Sequence, residues 1–198
     1  MAAVNDVWSH GQFKVLPEVN MSLDLKLETL LDYSDWERQK VHDLLSQEGA
    51  AALKVSAGAN GDSRFQCVGD LIRHIFSAEK RYVERLSGQG LTDTSTIPND
   101  DLAALFQLGR QSRKDFREFL AKFPSDQWDV PQEHKLGNSI LILTPRKIAT
   151  HIALHEIRHW AQITTMLRMN GIKDDFHDFL FSPALGGEIR REQAGATR

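Results

Sequence analysis

Three histidines at four-residue spacing, His151, His155 and His159, fall in a segment whose apolar residues repeat with a helical period. The apolar stripe there is Ile148, Ile152, Ile163 and Met166, which lie within about 60° of one another at about 100° per residue. His155 and His159 sit inside that arc, where the pattern calls for leucine or isoleucine. Side chains four apart are neighbours on a helix. Neutral imidazole nitrogens bind zinc at about 2.0–2.1 Å, so the pair supplies two ligands for one ion. His74 is the best third ligand, about 60° from the centre of the apolar stripe of an earlier helix. Each of these histidines taken singly also reads as a hydrogen-bonded core residue. His10, His42, His134 and His177 stand in polar or loop contexts and read as non-ligands.

The same window spells H-E-x-x-H, from His155 and Glu156 to His159. In zincin proteases that pattern places two zinc ligands on one helix face and makes the glutamate the general base. Against this, a peptide substrate is aligned on an edge strand, and the sequence offers almost no sheet. Glu156 also lies about 100° round the helix from His155, a position that suits a surface or interface residue equally.

Other chemistry-bearing residues give weaker signals. Cys67 shares a face with His74 but lies about 10 Å away along the axis, too far for one ion, and reads as a small core residue. Arg110, Arg113, Lys114 and Arg117 form a basic stripe, the pattern of a solvated face. Arg113 is nearest the apolar side, where it could hold a substrate carboxylate or phosphate. Trp8, Trp36, Trp128 and Trp160 read as packing or interface residues.

Four amphipathic helices have to position these groups. The first runs from an N-cap at Ser22 to about Gln47, ahead of Gly49. The turn residues Gly58, Asn60, Gly61 and Asp62 follow. A second helix covers roughly Phe65 to Ser87, and Gln89 to Ile97 forms a loop. Pro98, Asn99 and Asp100 open a third, which ends before Pro124. Breakers at Pro124, Pro131, Gly137 and Asn138 leave Ile140 to Leu143 as a short strand or packed extended segment. Thr144 and Pro145 then cap the fourth helix, which runs to about Asn170 with Gly171 as its left-handed terminator. Phe176, Phe179, Leu180 and Phe181 make the tail apolar enough to dock. The pattern predicts an all-α four-helix bundle with a short extended segment before the last long helix.

Composition agrees. The 198 residues carry 24 Lys+Arg against 27 Asp+Glu, a net charge of −3, with 41% hydrophobic residues. That is ordinary globular usage, not a disordered or repetitive chain. Residues 1–198 therefore read as one domain: an arm over 1–20, a bundle with docked tail over 22–181, and a flexible C-terminus over 182–198. The mild acidity argues against nucleic-acid partners. One cysteine rules out an internal disulfide and favours a reducing compartment, so a cytoplasmic location is expected. Polar and charged residues interrupt Met1 to Val19, and no run approaches the ~20 apolar residues needed to span a bilayer.

Taken together, Leu31-Asp32-Tyr33-Ser34-Asp35-Trp36, the stretch Leu71 to Leu86 with His74 and Tyr82, His151 through Gln162, and the ending Asp178-Phe179-Leu180 resemble the DinB/YfiT-like family of metal-binding four-helix proteins. The resemblance covers residues 22 to 181 and implies a divalent ion, zinc or nickel, on His74, His155 and His159, the triad periodicity had already suggested. It also makes His151 the family's frequent extra histidine one turn earlier and gives Gln162 a match. Departures are Arg158 for a histidine or tyrosine, Trp160-Ala161 for Arg-Gly, and Glu37-Arg38 after Trp36 for small polar residues. Glu37 and Arg38 would line the pocket with charge or pair with each other. By resemblance, the protein is expected to be a metal-dependent thiol S-transferase that takes a low-molecular-weight thiol cosubstrate and small electrophilic substrates. The alternatives are a metal-dependent hydrolase and a non-catalytic metal-binding stress-response protein. Relatives are commonly homodimers, and aromatic faces at Trp36 and Trp160 suit such an interface.

Overall fold

The computed structural model describes residues 25–58, 65–136, 138–175 and 177–187. The predicted cap at Ser22, the arm over 1–20, the turn at Asn60 to Asp62, Gly137, Phe176 and residues 188–198 lie outside them.

Four long helices make the bundle: α1 (Leu27–Glu48), α3 (Val68–Leu86), α4 (Leu102–Lys122) and α5 (Pro145–Met169), with a single turn α2 (Ala50–Leu53) after α1. Their termini follow local chemistry. Asp101 caps α4 by accepting from the Ala104 amide, and Thr144 caps α5 by accepting from that of Lys147. Pro145 stands at the first turn of α5, and Gly171 closes that helix at φ 84°. The sequence pattern missed α2, where Gly49 at φ 77° turns the chain so that Ala52 and Leu53 drop into the core.

The buried residues fall into two apolar clusters. One collects Val41 and Leu45 of α1, Leu71, Ile72, Ile75 and Phe76 of α3, Leu105 and Phe106 of α4, and Trp160, Ile163 and Leu167 of α5. The other holds Leu31, Val83 and Leu86, Phe116, and Ile148 to Ala153. Chain order through the clusters gives direction. α1 and α5 run one way, and α3 and α4 run the other. Parallel neighbours need a crossover, and residues 87–101 provide it. This loop leaves α3 with the Thr92 amide donating to Glu84, and returns to its start, where Asn99 Nδ2 donates to Asp70 at 2.8 Å.

Ahead of α5, β1 (Gln132–Leu136) pairs antiparallel with β2 (Ser139–Leu143), setting His134 opposite Leu141 and Gln132 opposite Leu143. The expected segment at Ile140 to Leu143 is thus the second arm of a hairpin. Leu141 and Leu143 face inward, while Ile140 and Ile142 are each 68% exposed. The tail docks partly: Phe179 packs edge-on against Tyr33 with ring centroids 5.1 Å apart, but Leu180 stays exposed. No helix among the described residues is long and apolar enough to cross a membrane.

Candidate metal centre

His74 reaches across from α3 to meet His155 and His159 of α5. One nitrogen of each lies within 4.8 Å of the other two. His74 Nε2 is 3.0 Å from His155 Nε2, which is 3.1 Å from His159 Nε2. Two nitrogens each about 2.0–2.1 Å from a common centre are roughly 3.3 Å apart at a tetrahedral angle and roughly 2.9 Å at a right angle. The two observed separations fall between these values. One proton can bridge one such pair, whereas three convergent nitrogens match a multivalent cation.

The surroundings keep His155 neutral and hold the other two rings in place. Burial first, and then the neighbouring histidines, push the His155 pKa down to about 3, so its lone pair is free at neutral pH. The Gln162 side-chain oxygen contacts His159 Nδ1. A carbonyl oxygen only accepts, so this contact requires a proton on Nδ1 and leaves Nε2 as the ligand atom. Phe65 packs against His74 at 4.5 Å between ring centroids. His151 is exposed and outside the triad, its ring 5.4 Å from that of His155 and 5.4 Å from that of Tyr82.

Glu156 turns away from the histidines. It is 1% exposed and lies in an ionic layer that separates the two apolar clusters. Arg38 of α1 grips it with Nε and Nη2, Arg113 of α4 donates from Nη2, and Trp160 Nε1 donates at 3.0 Å. Arg38 also donates to Glu79 of α3 at 2.7 Å and to the Gly109 carbonyl at 2.9 Å. Burial would raise both carboxyls. It does so for Glu79, while Arg38 and Arg113 hold Glu156 well below the usual range. A carboxylate saturated by two guanidiniums and an indole is no general base at the triad. The zincin reading fails on this geometry.

Other expectations change as well. Arg113 is buried against Glu156, and its Nε lies 2.9 Å from Asp35, so it belongs to the core layer and not to a solvated stripe. Glu37 does not pair with Arg38. Its carboxylate meets His177 Nδ1 at 2.8 Å, and Asp174 engages the other nitrogen. Burial lowers the His177 pKa, but these two carboxylates overcome it and bring the value to about 9. His177, read as a bland loop residue, therefore pins the tail to α1, helped by Tyr33, whose hydroxyl donates to its carbonyl at 2.7 Å. Trp160 is fully buried among Phe76 and Phe106, so it offers no surface to a second copy. Cys67 precedes α3 and meets Asn99, with burial raising its thiol pKa.

A helical bundle with a crossover between two parallel helices, and three histidines from two of its helices converging at one point, defines a class of small helical proteins whose site is compatible with a divalent cation. The chain belongs to the DinB family, whose model matches residues 21–191. No curated protein sequence matches it.

Proposed function

We propose that His74, His155 and His159 hold a divalent ion, zinc or nickel, and that the protein transfers a low-molecular-weight thiol onto small electrophilic molecules. The convergence of three imidazole nitrogens, with no carboxylate among them, carries this reading. When bound, such an ion supplies a Lewis acid that keeps a thiol deprotonated at neutral pH. Three protein ligands leave a coordination position for the reacting group, the pattern of catalytic and not structural sites. Gln162 fixes the tautomer of His159, and Phe65 restrains His74. The glutamate of the zincin pattern, Glu156, is sequestered in the core and serves no hydrolytic step at the triad. Resemblance to DinB/YfiT-like proteins favours a thiol over water as the incoming nucleophile. In the transfer, the thiolate sulfur attacks the electrophilic carbon, and the leaving group departs with its bonding pair.

The test is the metal content of purified protein and of the His74→Ala, His155→Ala and Gln162→Ala variants, beside cysteine conjugation to 1-chloro-2,4-dinitrobenzene. About one equivalent of metal is expected, lost in both histidine variants. The Gln162→Ala variant should keep the site with about 10–100-fold weaker affinity, the usual cost of removing an outer-shell partner. Metal retained without His74, or no uptake of added zinc or nickel, overturns the ligand set. A metal-loaded protein that conjugates no faster than its His155→Ala variant overturns the transfer.

A further inference from the structure

Beneath the β1–β2 hairpin lies a cavity of about 300 Å³, closed by the end of α3 and the first turns of α5. That is close to the liquid volume of ten waters and at the lower end of small-molecule sites. Leu141, Leu143 and Ile148 make its body apolar. Its charged lining is all of one sign: Arg85, Lys135 and Lys147, with no carboxylate. None of the three cations has an acidic partner among the described residues, although the chain has more acids than bases overall. Two nearby basic residues do find acidic partners, Arg146 in Asp129 and Lys80 in Glu84. His134, also in the lining, has a buried Nε2 with no hydrogen-bond partner. Such an atom inside a protein is normally satisfied, and an unsatisfied one marks a place for a ligand or water.

The cavity also adjoins the triad. His151 and Tyr82 form part of its wall, and the His151 ring is 5.4 Å from that of His155. One imidazole thus separates the cavity from a candidate metal ligand.

We infer that this cavity seats the electrophilic substrate, and that the substrate is a small amphiphilic anion, an apolar chain or ring bearing a carboxylate or similar group. The apolar lining takes its body, and Arg85, Lys135 and Lys147 take its charge. The inference that its occupant is the substrate rests on the proposed metal-dependent transfer. The preference for an anion rests on the cavity alone, and the two are tested separately.

The probe is octanoate, titrated calorimetrically into the full chain, with octanamide as the uncharged match and octylammonium as the opposite charge. Octanoate is expected to bind at least ten-fold more tightly than octanamide, with octylammonium weakest. Replacing both exposed lysines, Lys135→Gln with Lys147→Gln, should narrow the difference between octanoate and octanamide to what Arg85 alone sustains. Equal binding of the two in the wild type, or no binding of octanoate, overturns the anion site. With Co²⁺ bound at the triad, the octanoate proton resonances should broaden. In the His155→Ala variant the broadening should vanish while the affinity for octanoate is unchanged. Binding without broadening shows a site remote from the ion and overturns the substrate seat. Loss of octanoate affinity in His155→Ala shows that the ion, not the cavity, holds the carboxylate. A protein that takes up no Co²⁺ overturns the metal reading, while the titration still decides whether the cavity prefers an anion.

Discussion

Glu156 shows how far a motif can mislead and a neighbourhood can correct it. Within H-E-x-x-H the residue invites a catalytic role, but its carboxylate faces Arg38, Arg113 and Trp160 in the middle of the bundle. The signal was partly legible. Glu156 lies about 100° from His155 round the helix, and Arg38 and Arg113 each lie near an apolar arc. What no single segment can reveal is that four helices bring these charges to one depth. Glu156→Ala leaves two buried guanidiniums short of an acceptor, and removal of one partner from a buried ionic pair typically costs about 3–5 kcal/mol. Urea denaturation of the metal-free protein should show that loss, with metal stoichiometry at neutral pH retained wherever the variant stays folded. A variant that keeps wild-type stability but loses activity would restore the protease-like role.

At the scale of elements, strong local chemistry was readable and pairing chemistry was not. The caps at Thr144 and Gly171, and the stripes of α3 and α5, carry their own instructions. The first arm of the hairpin, Gln132-Glu133-His134-Lys135-Leu136, is polar and acquires its strand form only by pairing with β2. Close approaches between helices were equally silent. Gly109 on α4 faces the Phe76 ring of α3, and a Cβ there would come within 2.7 Å of it. Gly69, at the start of α3, meets the Asn99 carbonyl oxygen, which a Cβ would approach to 1.8 Å. Phe76 is fully buried, its ring packed edge-on against those of Phe106 and Trp160. Gly109→Ala should therefore destabilise by about 1–3 kcal/mol despite the better helix propensity of alanine. Thermal denaturation checks the sign, since a stabilised variant would show that the α3–α4 contact is looser than the structure shows.

For the whole molecule, two histidines set opposite limits on stability. The His155 pKa lies near 3 in the folded protein against an ordinary 6.5, so below pH 6.5 the unfolded chain takes up a proton that the folded one refuses. Metal-free protein should lose stability as pH falls from 6.5 toward 3. The His177 pKa is raised to about 9, so its contribution is complete below pH 6.5 and is lost as pH climbs from 6.5 through 9. Melting curves of metal-free protein across this range should show both limbs, with His177→Gln flattening only the alkaline one. A His177→Gln profile parallel to the wild type above pH 6.5 would place the tail's anchorage elsewhere. The ionic layer has a different kind of consequence. Its four members, Arg38, Glu79, Arg113 and Glu156, are each supplied by a different helix, so no short stretch of sequence can drift freely at these positions. Replacing one charge strands another in the dark centre of the bundle. The route to an all-apolar centre therefore runs through intermediates less fit to fold than either end. The layer works as a ratchet on the history of the chain, and it binds four distant positions to a common fate.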